Sequence, residues 1–98
     1  MIHNMTKHAQ VDRFDRLAKI VETVGFGNDY CTITQADGAL KTLTTTGIVV
    51  VRNEKTNKII TAYPATLNQA KAIMVKRTGS ETLPHSLFKA VMANQKIF

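Results

Sequence analysis

Apolar residues recur along this chain with two different periods, and the changes of period divide it into elements. From Thr6 to Thr23, the positions Val11, Phe14, Leu17, Ala18, Val21 and Val24 follow the i, i+3, i+4, i+7 spacing of one helical face. Asp12 with Arg16, and Asp15 with Lys19, form i, i+4 charge pairs on the opposite side. Thr6 supplies an N-cap hydroxyl, and Gly25 and Gly27 stop the helix.

The period then shortens to two. Tyr30–Thr34 is rich in β-branched and aromatic residues, and Asp37-Gly38 marks a hairpin turn. Leu40–Thr44 alternates weakly and reads as the returning strand, with Gly47 punctuating after it. Ile48-Val49-Val50-Val51 is the clearest strand signal. Asn53–Asn57 has turn composition, Lys58–Tyr63 reads as the partner strand, and Pro64 closes it. Together these predict a three- or four-stranded antiparallel meander. The threonine-rich run Thr42–Thr46 is too short to be a low-complexity segment.

The helical period returns after Pro64. Thr66 and Gln69 have the spacing of a capping box. Leu67, Ala70, Ile73, Met74 and Arg77 follow at helical spacing, with Gly79 at the stop. A last helix starts at Pro84, with Leu87, Phe88, Val91 and Met92 as its stripe, and should fray near Asn94. An N-terminal helix, a meander and two C-terminal helices in that order predict one α+β domain over residues 1–98, its helices covering one face of the sheet.

Composition narrows the class. With 98 residues, 44% of them apolar, the chain has enough apolar content for a folded domain and is unlike a disordered one. No apolar run reaches the roughly 18–20 residues of a membrane span, and Met1–Gln10 is polar, so a soluble cytoplasmic protein is expected. Charge adds a direction. Of the net +6, most sits late in the chain: residues 63–98 carry five basic groups and one acidic group. Such a field favours polyanions, nucleic acid first. Lys71, Lys76 and Arg77 on the second helix are placed to track a phosphate backbone.

Candidate chemistry is sparse. Cys31 is the one cysteine, and it reads as a core thiol. His3, His8 and His85 show no ligand spacing, so no metal is expected, and no glycine loop or nucleophile elbow suggests a cofactor or a serine hydrolase. The hairpin Ile48–Tyr63 is more informative. With a turn centred on Asn53–Lys58, Arg52 faces Ile59, Val50 faces Thr61 and Ile48 faces Tyr63. Arg52, Thr61 and Tyr63 then share an open face, while Val49, Val51, Ile60 and Ala62 share the covered one. Only a bulge separates Arg52 from the other two.

The stretch Thr46–Arg52, a polar turn and Lys58–Pro64 resembles a hairpin of the barnase–EndoU–colicin–RelE-like ribonuclease superfamily. Thr61-Ala62-Tyr63 matches its Thr-x-Tyr pattern. Thr6-Lys7-His8-Ala9, with Arg13 and Arg16 downstream, resembles the His- and Arg-bearing helix that precedes the sheet in several members. The chain is most similar to small phage or prophage proteins of that kind, and departs from the toxin members in carrying two helices after the sheet. The resemblance implies metal-independent RNA cleavage, by attack of a ribose 2′-hydroxyl on the adjacent phosphate to leave a cyclic phosphate. His8 would act as general base or acid, and Arg52 or Arg13 would stabilise transition-state charge. Thr61 and Tyr63 would donate hydrogen bonds, or Tyr63 would stack on a base.

A second reading needs no catalysis. A small basic domain can be a binding module that contacts a host protein or a nucleic acid through a β edge or its last helix. A third is an antitoxin-like subunit whose C-terminal helices pair with a second copy. Catalysis requires His8, Arg52, Thr61 and Tyr63 in one cleft; binding does not.

Overall fold

The computed structural model describes residues 14–98; His3, His8 and Arg13 lie outside the described residues. The order is α1 (Phe14–Thr23), β1 (Asp29–Thr34), β2 (Leu40–Thr44), β3 (Ile48–Arg52), β4 (Ile59–Pro64), α2 (Leu67–Thr78) and α3 (His85–Ile97). The strands form one antiparallel sheet in sequence order. The α+β layout expected from the two periods is therefore present, with all four strands paired.

Turn chemistry explains the meander. Asp37 Oδ1 accepts from the Ala39 N–H at 3.0 Å, and Gly38 has φ 90°, so the first hairpin turns where Asp-Gly stands. Asn53 Oδ1 accepts from the Lys55 and Thr56 N–H groups, and the Asn53 N–H donates to the Lys58 carbonyl at 2.9 Å. Helix α2 opens on the complete capping box of Thr66 and Gln69 and ends at Gly79 in the left-handed region.

The sheet is covered on both faces, not on one. Leu17 and Ile20 of α1 pack with Ile48, Val50 and Ala62 on one side. On the other, Ala70, Ile73 and Met74 of α2 and Leu87 and Val91 of α3 pack with Leu43, Val49 and Val51. This explains why Ile48–Val51 reads as an unbroken apolar run: β3 has no wet side and all four residues are buried. In α1 the inward line runs through Leu17 and Ile20, while Val21 is 56% exposed. In α3, Leu87, Val91 and Asn94 face inward, and Phe88 and Met92 do not.

Helix α3 does not fray at Asn94 but continues to Ile97. Asn94 is buried, and its Nδ2 donates to the Thr46 carbonyl at 2.9 Å. The same β2–β3 turn is held from the opposite side. Thr46 Oγ1 donates to the Gly25 carbonyl at 2.8 Å, and Thr45 Oγ1 accepts from the Asn28 N–H at 3.0 Å. The threonine run thus ties the α1–β1 connection to the turn, and Asn94 ties the turn to α3.

Gly47 makes this possible. Its φ is 80°, and a Cβ there would meet Asn94 Nδ2 at 2.9 Å and the Val91 nitrogen at 3.1 Å. Gly25 also has positive φ, 69°, but nothing lies within 4 Å. Gly25→Ala should therefore carry the backbone cost alone, about 1 kcal/mol. Gly47→Ala adds a collision with the α3 backbone and should lose at least twice as much, about 2–4 kcal/mol. Urea unfolding of the two variants beside the parent checks this ordering.

Candidate nucleic-acid interface

Strand register decides which of the sequence-derived residues meet. Arg52 does pair with Ile59, but the remaining pairs are Val51 with Thr61, Val50 with Ala62, Val49 with Tyr63 and Ile48 with Pro64. Between Val51 and Arg52 the partner strand advances two residues, from Thr61 to Ile59. Ile60 is the extra residue of a β-bulge, which moves every later side chain to the other face. Thr61 and Tyr63 consequently lie on the α2/α3 face with Val49 and Val51. Ala62 lies on the α1 face with Val50. Arg52, alternating with Val50, is on the α1 face as well, its Nη1 4.0 Å from Asp29 Oδ1. The expected shared face of Arg52, Thr61 and Tyr63 does not form, and the cause is the bulge.

Neither member of the Thr-x-Tyr pattern lies open to solvent. The Thr61 hydroxyl oxygen is buried and has no hydrogen-bond partner among the described residues. Tyr63 is half-buried, and burial pushes its hydroxyl above the ordinary value of 10.0. Burial pushes the Cys31 thiol above 9.0, with the nearby Arg77 charge pulling the other way. Cys31 is a buried core thiol, packed with Leu43 and Val49.

The basic residues of α2 separate into two places. Lys71 borders an open depression with Glu81, Thr82, His85 and Phe88, beside α3. Lys76 and Arg77 occupy the last turn of α2, where cations complement the helix dipole. Both side chains are exposed and line a groove with Thr32, Ile33 and Thr34 of β1. Strand β1 ends the sheet, and Thr32 and Thr34 are exposed along it. The three cations expected to form one track thus do not: Lys71 is 120–140° around the helix from the other two.

A residue that sequence reasoning missed joins this groove. Lys41 pairs with Ile33 on one side and Val51 on the other, in the cross-strand row that ends at Thr61. It therefore projects to the α2-covered face. There a cavity of about 100 Å³ is lined by Lys41, Tyr63, Gln69 and Lys76 with Ile33, Ala72 and Ile73. Lys41 is half-buried. Its parity with Leu43 was the available signal, since a lysine on the core side of a strand has to reach out past its neighbours. Ile33 and Lys76 border both the cavity and the groove, so the two lie side by side. No acidic residue lines either one among the described residues.

Chemically, this is a cationic strip along a sheet edge. Among the described residues, no three His, Cys, Asp or Glu side chains gather where they could hold a metal ion. None of the described helices is long and apolar enough to cross a membrane. Compared with protein-family models, curated proteins and solved structures, the chain matches none. Its site is therefore read from its own geometry.

Two outcomes follow from the buried groups. Removing an unpaired buried hydroxyl relieves its desolvation cost, so Thr61→Val should raise the unfolding free energy by about 1 kcal/mol. A loss of stability in urea titration would show that the hydroxyl is paired. Cys31 and Tyr63 are both held protonated by burial, so the folded state keeps protons that the unfolded chain releases. Their contribution to stability is complete below 9.0 for Cys31 and 10.0 for Tyr63, and is lost as the pH rises through their raised folded values. Urea midpoints should fall on the alkaline side of these values, and Tyr63→Phe should fall less steeply in the upper part of that range.

Proposed function

We propose that this protein is a nucleic-acid-binding domain, RNA first, that holds a strand along the groove between β1 and the last turn of α2. The observation that carries the reading is the cationic set Lys41, Lys76 and Arg77, with no acidic residue among the described ones lining it, gathered from two elements beside an exposed sheet edge. Lys76 and Arg77 would neutralise backbone phosphates of the strand lying along the edge. The chain's net charge of +6 would raise the local concentration of a polyanion. A cytoplasmic setting, where RNA is plentiful, belongs to this proposal.

Binding is favoured over cleavage for a geometric reason. The cleavage reading needs Arg52 beside Thr61 and Tyr63, and the bulge at Ile60 sends them to opposite faces. RNA incubated with the protein in excess EDTA should accordingly stay intact. Cyclic-phosphate ends that vanish with His8→Ala would replace binding with cleavage.

Fluorescence anisotropy with a labelled RNA oligonucleotide tests the binding reading. The double variant Lys76→Ala/Arg77→Ala should weaken binding by at least tenfold at low salt. It should also reduce the slope of log affinity against log salt by about 1–2, since each lost phosphate contact removes roughly one unit. Lys55→Ala, on the β3–β4 loop away from the groove, should change neither. Equal binding by the parent and the double variant would overturn the proposal.

A further inference from the structure

The cavity beside the groove has an unusual balance of hydrogen-bonding groups. Lys41 and Lys76 carry ammonium groups, which donate and cannot accept. The Gln69 Oε1 already accepts from the Thr66 N–H at 2.9 Å as part of the α2 capping box, which leaves the amide NH₂ as its free end. The Tyr63 hydroxyl keeps its proton, because burial holds it above the ordinary value. No carboxylate lines the space among the described residues, and Ile33, Ala72 and Ile73 form its apolar wall.

A cavity of about 100 Å³ has room for a group the size of several waters, since one water needs roughly 10–15 Å³ of such space. Two ammonium groups and two neutral donors suit an occupant with about two negative charges and three acceptor oxygens. A terminal phosphate has that charge and that acceptor count; an internal phosphodiester or a carboxylate carries one charge.

We propose that this cavity binds a phosphoryl group, and that its occupant is the terminal phosphate of the RNA strand held in the adjoining groove. The inference rests on the nucleic-acid reading for the source of the phosphate. Adjacency supports that source: Lys76 and Ile33 border both spaces, so a strand running along β1 past Arg77 and Lys76 would bring its end to the cavity that Lys41 lines. The cavity is small, about 100 Å³, which suits a single terminal group rather than a nucleotide.

The test uses the full chain and three RNA oligonucleotides of one sequence: 5′-phosphorylated, 3′-phosphorylated and hydroxyl-ended. The readout is the ratio of phosphate-ended to hydroxyl-ended affinity within each variant. One of the phosphorylated forms should bind the parent at least about tenfold more tightly than the hydroxyl-ended form. The ratio should fall below about threefold in Lys41→Gln. It should also fall in Tyr63→Phe, which keeps the ring packing and removes the hydroxyl. Lys55→Ala should keep the parent's ratio, and circular dichroism should show each variant folded. Equal binding of all three oligonucleotides by the parent overturns the cavity proposal and leaves the groove standing. Inorganic phosphate and a free nucleoside monophosphate form the remaining arms. Lys41-dependent binding of either, with no oligonucleotide binding, supports the phosphoryl site and overturns the strand end as its source. No binding in any arm overturns both.

Discussion

The turn between β2 and β3 is the point at which the two helical layers of this protein are attached to one sheet. Its backbone is gripped from both sides. The Thr46 hydroxyl reaches the Gly25 and Phe26 carbonyls at the end of α1, and the Asn94 amide reaches the Thr46 carbonyl from α3. Carbonyl groups buried without partners cost about 1–3 kcal/mol each, so these polar contacts are what allow the half-buried turn to sit against both helical layers. Gly47 sets the approach distance: only a residue without a Cβ lets the α3 backbone come this close. The helix must run on past Asn94 to hold the turn, and the turn must be tight for Ile48 to enter the sheet with both faces covered.

Two-sided cover gives β3 its continuous apolar sequence and leaves it without the open face that the alternating pattern suggested. It also raises the cost of a polar side chain at the sheet. On the α1 face, Thr32 and Thr42 answer that cost by bonding to each other at 2.9 Å, and Thr44 accepts from the Ile48 N–H. On the other face, Thr61 finds no such partner among the described residues, whereas Lys41 is half-buried and lines a cavity. The bulge at Ile60 determines which of these fates Thr61 has. Without it, Thr61 would stand with Val50 beneath α1.

The element order was legible because each signal is local. A capping box needs only Thr66 and Gln69, an Asp-Gly turn needs two residues, and the switch from period two to period 3.6 is visible within a dozen. What was not legible depends on partners far along the chain. A bulge leaves no mark in Ile59-Ile60-Thr61, because its extra residue Ile60 has no composition that sets it apart from an ordinary strand residue. The burial of Asn94 depends on a carbonyl 48 residues earlier in the sequence. Its spacing from Leu87 and Val91 did place it on the inward face, a signal that a stripe drawn through Phe88 and Met92 obscures. The site was half legible on the same grounds: Lys76 and Arg77 were read from local charge, while Lys41 acquires meaning only when the register sets it in one row with Ile33 and Val51.

Charge at the end of α2 has an ordinary structural explanation, since Lys76 and Arg77 oppose the negative end of the helix dipole. That explanation does not extend to Lys41. It sits on a strand, on a helix-covered face, where an apolar residue would bury more surface and lose no hydration. No carboxylate among the described residues lines its cavity, so ion pairing there does not account for it either. A lysine where packing favours an aliphatic residue, with no carboxylate lining its cavity among the described residues, has no ion-pair partner there. On the proposal made above, an anionic ligand would supply the missing counter-charge. Lys41 is then the residue that would make this strip a binding surface, and Lys76 and Arg77 would extend it.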